Sequence, residues 1–145
     1  MRASPPLGLT VALLTVAGCG ADERPFPPLC GSGPGPVLKA LARAPRAVRL
    51  PDGTRLSDCV ARASTDADLQ ELGLALVPAA HRLQERATSA TALQLGYLVG
   101  AVRRGAAHSN GIQAELQRKL ERTLPDDAAL VGAAQRGANA GVKSG

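Results

Sequence analysis

The chain has 145 residues, a formal charge of +5, 45% hydrophobic residues by class, and only two aromatics, Phe26 and Tyr97. That length suits one domain with appendages, and its core must be built from Leu, Ala and Val, of which Leu and Ala are strong helix formers. The charge excess falls short of a basic nucleic-acid footprint, and so few aromatics give no stacking platform for single strands, so nucleic acid is not an expected partner.

Arg2 and the amino terminus precede a mostly apolar run from Leu7 to Ala17. The run is shorter than the roughly 20 residues that cross a bilayer and has the length of the apolar part of an export signal. It leads into Val16-Ala17-Gly18-Cys19. This stretch resembles the lipobox of bacterial lipoproteins: an aliphatic residue, two small ones, then the cysteine that is lipidated and becomes the mature N-terminus. The resemblance covers the first 19 residues, with Val where Leu is commoner three before the cysteine. It implies a signal peptide over 1–18, lipid attachment at Cys19, and a place in the bacterial cell envelope, anchored to a membrane on its extracytoplasmic side. Ordinary secretory cleavage after Ala21 is the alternative, and would release a secreted protein beginning at Asp22.

Export makes the remaining cysteines readable. Cys30 and Cys59 form an even pair in an oxidising compartment, so a disulfide between them is expected. Neither a Cys-x-x-Cys motif nor an adjacent His supports redox chemistry at that pair.

Residues 19–36 are dense in Pro and Gly and predict a tether. No strand precedes its glycines and no Gly-Lys-Ser/Thr follows, which argues against a phosphate loop. A helical domain is expected over 37–137. A short helix from Val37 to Ala44 stops before Pro45. Val48-Arg-Leu50 and Thr54-Arg-Leu56 alternate around Pro51-Asp52-Gly53, which predicts a short β-hairpin near 47–56. Ser57 is placed to cap a helix containing Cys59.

Thr65 and Asp68 have capping-box spacing ahead of a helix whose Leu69, Leu72, Leu76 and Leu83 fall on one face. Pro78 is expected to kink or split it. Thr88 or Ser89 opens the next helix, with a stripe of Ala92, Leu95, Val99, Val102 and Ala106, and the short connection implies an antiparallel hairpin. Gly96 and Gly100 on that helix predict close packing against a neighbour. A third helix from Ser109 or Asn110 carries Ile112, Leu116, Leu120 and Leu124 and stops at Pro125. A short Ala-rich helix from Asp126-Asp127 fades near Gly137, and residues 138–145 read as a flexible tail. The fold class is therefore all-α, a small helical bundle behind a Pro/Gly tether.

Candidate chemistry is sparse. His81 and Glu85 are i,i+4 on a helix and could pair as a base and its orienting carboxylate, but Arg82 and Arg86 make this a solvated face. His108 and Ser109 sit in an inter-helix turn where turn chemistry accounts for them. Two histidines without ligand-spaced partners give no metal site, and no cofactor is implied. Arg103 and Arg104 complement a helix C-terminus. The densest basic stretch is Lys39, Arg43, Arg46, Arg49 and Arg55, which follows the tether and so sits near a membrane.

The expected role is a non-enzymatic, membrane-anchored helical module for protein interaction or envelope structure. The first alternative is a binding module for an anionic lipid or cell-envelope polymer through segment 39–55. The second is an enzyme with a site near His81 or His108. Oligomeric state is left open.

Overall fold

The computed structural model describes residues 24–145 apart from His108, Asn110 and Ile112, so Cys19 and the apolar run before it lie outside the described residues. The described chain holds a 3-10 turn at Pro28–Gly31 and six α-helices: α1 Pro34–Leu41, α2 Leu56–Arg62, α3 Asp66–Arg86, α4 Ser89–Ala106, α5 Ala114–Glu121 and α6 Ala128–Ser144. No strand occurs among the described residues. The fold is all-α, a helical bundle, and no described helix is long and apolar enough to cross a membrane.

Helix starts follow local side-chain chemistry. Asp68 N–H donates to Thr65 Oγ1 and Thr65 N–H to Asp68 Oδ2, each at 3.1 Å, closing the expected capping box on α3. Thr88 caps α4 in the same reciprocal way with Thr91. Asp127 caps α6 by accepting from Ala129 N–H at 2.8 Å. Each cap satisfies donors that the first helical turn leaves orphaned.

Helix α4 is the centre of the bundle and touches all five other helices. Every residue from Leu95 to Val102 is buried, so the stripe expected for one face becomes a helix enclosed on all sides. Its closest neighbour is α6. A Cβ on Gly96 would stand 2.7 Å from Ala134 C, and one on Gly137 would stand 2.8 Å from both Leu93 C and Tyr97 N. Gly100 meets the Ala138 backbone and Gly141 the Tyr97 backbone in the same manner. Partner numbers rise together along both helices, so the pair is parallel, with glycines from each side receiving the other's backbone. Such an approach brings glycine Cα atoms to about 3.5 Å from facing carbonyl oxygens, the range of Cα–H···O contacts.

Tyr97 is fully buried in this seam and links three parts of the chain. Ser144 Oγ donates its one proton to Ala140 O at 2.9 Å, so Tyr97 O–H donates to Ser144 Oγ at 3.1 Å. Tyr97 Oη then accepts from the Val48 N–H at 3.0 Å. Replacing Tyr97 by Phe keeps the ring and strands a buried Val48 donor, and should cost about 1–3 kcal/mol in urea-unfolding free energy. A loss no greater than a few tenths would show that this relay carries no stability.

Several expectations change; α1 begins at Pro34 and not at Val37, and the third predicted helix begins at Ala114 and not after Ser109 or Asn110. The hairpin is absent, although its loop is present. Gly53 N–H bonds Leu50 O and Leu50 N–H bonds Thr54 O, both at 2.9 Å, with Gly53 at φ 84°. This is the bonding of a three-residue hairpin loop. The arms do not pair beyond it, because Val48 N–H is taken by Tyr97 and Arg55 O by the first turn of α2. Pro78 does not split α3, which runs as one helix from Asp66 to Arg86. The carbonyl that loses its donor belongs to Leu74, an exposed position where water can serve it.

The tether is shorter than residues 19–36. Phe26 packs on the core, and prolines stand in the first positions of both the 3-10 turn and α1, where a missing N–H costs nothing. Finally, residues 138–145 are no flexible tail. Helix α6 continues to Ser144, Gly141 and Gly145 are buried, and Gly137 and Gly141 are the residues that seat it on α4.

Candidate anion-binding cleft

The basic stretch wraps around a cleft of about 430 Å³ lined by Pro36, Lys39, Ala40, Ala42, Arg43, Arg49, Leu50 and Pro51. Lys39 and Arg43 come from the C-terminal end of α1 and the turn that follows it. Their charge there complements the helix dipole, which accounts for part of their placement. Arg49 arrives from a different segment, the extended stretch leading to the Leu50–Gly53 turn. Its Nη1 donates to Gly53 O at 2.9 Å, which pins the guanidinium while leaving other N–H groups to point elsewhere.

Two proline rings stiffen the walls, and buried Ala40 and Leu50 form the base. Asp52 is the single carboxylate between residues 39 and 55, and it is not among the lining groups. Its Oδ1 accepts from Thr54 N–H at 3.0 Å. No ion pair engages Lys39, Arg43 or Arg49 among the described residues. The lining thus offers positive charge and N–H donors, with no carboxylate, hydroxyl or thiol side chain. Its chemistry is that of holding an anion.

Not all of the expected basic residues converge. Arg46 is exposed and does not line the cleft, and Arg55 stands half-buried at the N-cap of α2. Cys30 and Cys59 are joined, with Cα atoms 5.6 Å apart, tying the 3-10 turn to α2. Both are buried.

His81 and Glu85 are exposed on the outer side of α3, with no hydrogen bond between them. His108 lies outside the described residues, and neighbouring Ser109 Oγ donates to Ala106 O at 2.8 Å, as turn chemistry predicts. Among the described residues no cluster of three His, Cys, Asp or Glu side chains could hold a metal.

Arg103 and Arg104 have structural partners beyond their own helix dipole. Arg103 Nε lies 2.8 Å from Glu121 Oε1, and that hydrogen bond holds the Glu121 carboxyl below its usual value against a smaller opposing effect of burial. Arg104 Nη1 donates to the Val142 and Lys143 carbonyls at the end of α6.

Two buried polar residues have roles that the sequence does not predict. Gln113 Nε2 donates to Val60 O and Ala63 O at 3.3 and 3.0 Å, capping the end of α2, while its Oε1 has no partner among the described residues. Ser57 is buried inside α2 rather than capping it, and its Oγ donates to Gly145 O. Gln113 stands in a polar turn and Ser57 has the character of a cap, and no local pattern marks either as buried. A second groove lies between α3 and α5, lined by exposed Leu74 and by half-buried Val77, Pro78 and Leu116, with Glu115 and Lys119 beside them.

Comparison with protein-family models, with curated proteins and with solved structures finds no match.

Proposed function

We propose that this chain is a lipid-anchored module of the bacterial envelope, held by Cys19, whose work is non-catalytic contact with an anionic membrane surface through the Lys39–Arg43–Arg49 cleft. The observation that carries the reading is the convergence of cations from two separate segments on one cleft without a neutralising carboxylate. The lipobox-like Val16-Ala17-Gly18-Cys19 supports the anchor.

The short tether supports the geometry. Phe26, seven residues beyond Cys19, already packs on the core. A fully extended chain of that length reaches at most about 25 Å. A domain so closely held keeps its basic residues near lipid headgroups, where each can contribute about 1 kcal/mol against an anionic leaflet.

The test uses a chain beginning at position 19 with Cys19→Ser, which removes the lipid and retains every residue of the described fold. It should bind phosphatidylglycerol-containing vesicles and release them as salt rises toward about 0.5 M, where screening is strong. Neutralising Lys39, Arg43 and Arg49 to Gln should weaken binding by about 3 kcal/mol in sum. Binding that ignores salt, or none at all, rules the reading out.

A further inference from the structure

Resting on that reading of the cleft, we infer that it is a shaped site for a phosphate ester, the chemistry that a phospholipid headgroup and a soluble glycerophosphate share. A diffuse positive face would need no fixed geometry, and this cleft has several fixed parts. Arg49 is held in place by the Gly53 carbonyl, on a turn closed by two backbone hydrogen bonds. Lys39, in the last turn of α1, and Arg43, in the turn that follows, line the cleft from a second segment.

A planar carboxylate has two oxygens and is satisfied by one guanidinium fork. A phosphate ester is tetrahedral, carries more acceptor sites, and can take donors from opposing walls together. Its ester substituent needs a less polar surface beside the charges, which Pro36, Leu50 and Pro51 provide. Five cations fall between residues 39 and 55, yet Arg46 and Arg55 stay outside the cleft. Three of the five cations therefore share one lining.

Charge-conserving substitution separates a site from a charged face. The Arg43→Lys/Arg49→Lys double variant keeps every positive charge and removes both forks. In the Cys19→Ser chain it should bind phosphatidylglycerol vesicles about tenfold more weakly than its parent, from the loss of charge-assisted hydrogen bonds. The parent should prefer those vesicles to oleate-containing vesicles of equal surface charge. In a nuclear magnetic resonance titration of the parent, sn-glycerol 3-phosphate should shift amide signals within residues 39–51, an arm that does not depend on any variant folding.

If the double variant binds both kinds of vesicle as its parent does, the shaped site is wrong and the electrostatic membrane reading survives. If glycerol phosphate binds at residues 39–51 and no vesicle does, the phosphate-ester site stands with a soluble source, and the membrane reading falls. If neither ligand binds, both are overturned.

Discussion

Replacing Gly137 by alanine should destabilise the protein by about 3 kcal/mol or more, whereas the same replacement at Gly73 should stabilise it by roughly 0.5–1 kcal/mol. Both glycines lie within helices and both substitutions add a single methyl group. At Gly73 a Cβ meets nothing within 4 Å, so only the entropy advantage of alanine remains. At Gly137 the Cβ collides with the Leu93 carbonyl and stands 2.8 Å from Tyr97 N, atoms that belong to a helix backbone and cannot rotate away. The two helices would have to separate, and the seam holding Gly96, Gly100 and Gly141 would open with them. Urea unfolding of both variants gives the answer through their midpoints, provided the slope is unchanged. Shifts in the same direction would mean that α4 and α6 are not in backbone contact. Gly96→Ala should be costly alone and cheaper when added to Gly137→Ala, because the first methyl has already moved the helices apart.

That seam also explains what the sequence revealed and what it concealed. Thr65 with Asp68, Thr88 and Asp127 mark helix starts through chemistry local to a few residues, and all of those starts are where the spacing puts them. Gly96 and Gly100 predict a close neighbour, and they have one. The identity of that neighbour was hidden, because the last predicted helix fades near Gly137 and Gly141 falls in the stretch expected to be a flexible tail. Their cost in helix propensity, about 1 kcal/mol each, is offset only by contact with α4, which lies far away in sequence. Val48 shows the same limit. Its segment and loop have hairpin character, yet its N–H is claimed by Tyr97, 49 residues on. In the cleft, the basic residues were legible as a cluster. Which three converge depends on how the Leu50–Gly53 turn folds against α1, and no sequence pattern carries that.

Reducing the Cys30–Cys59 bond, or replacing both cysteines with serine, should lower stability by about 3–4 kcal/mol, which for a domain of this size means a fall in Tm on the order of 10–20 °C. The bridge closes a loop with a sequence separation of 29, and its main effect is to restrict the unfolded chain. The loss should not be spread evenly. Every residue lining the basic cleft, from Pro36 to Pro51, lies inside this loop, with one end fixed through the 3-10 turn on α3 and the other through α2 on α4. With the bridge gone, the loop is held by Val37, Ala40, Leu41, Val48, Leu50 and Leu56 and by the Val48–Tyr97 hydrogen bond, a minor share of the core. Hydrogen exchange should therefore quicken first at residues 36–51, while amides in α4 keep their protection until global unfolding. Vesicle binding should weaken in the reduced protein at temperatures where α4 is still protected, since the cleft loosens before the bundle does. Uniform loss of protection across α1 and α4 would show that the bridge supports the whole bundle and gives the cleft no separate support.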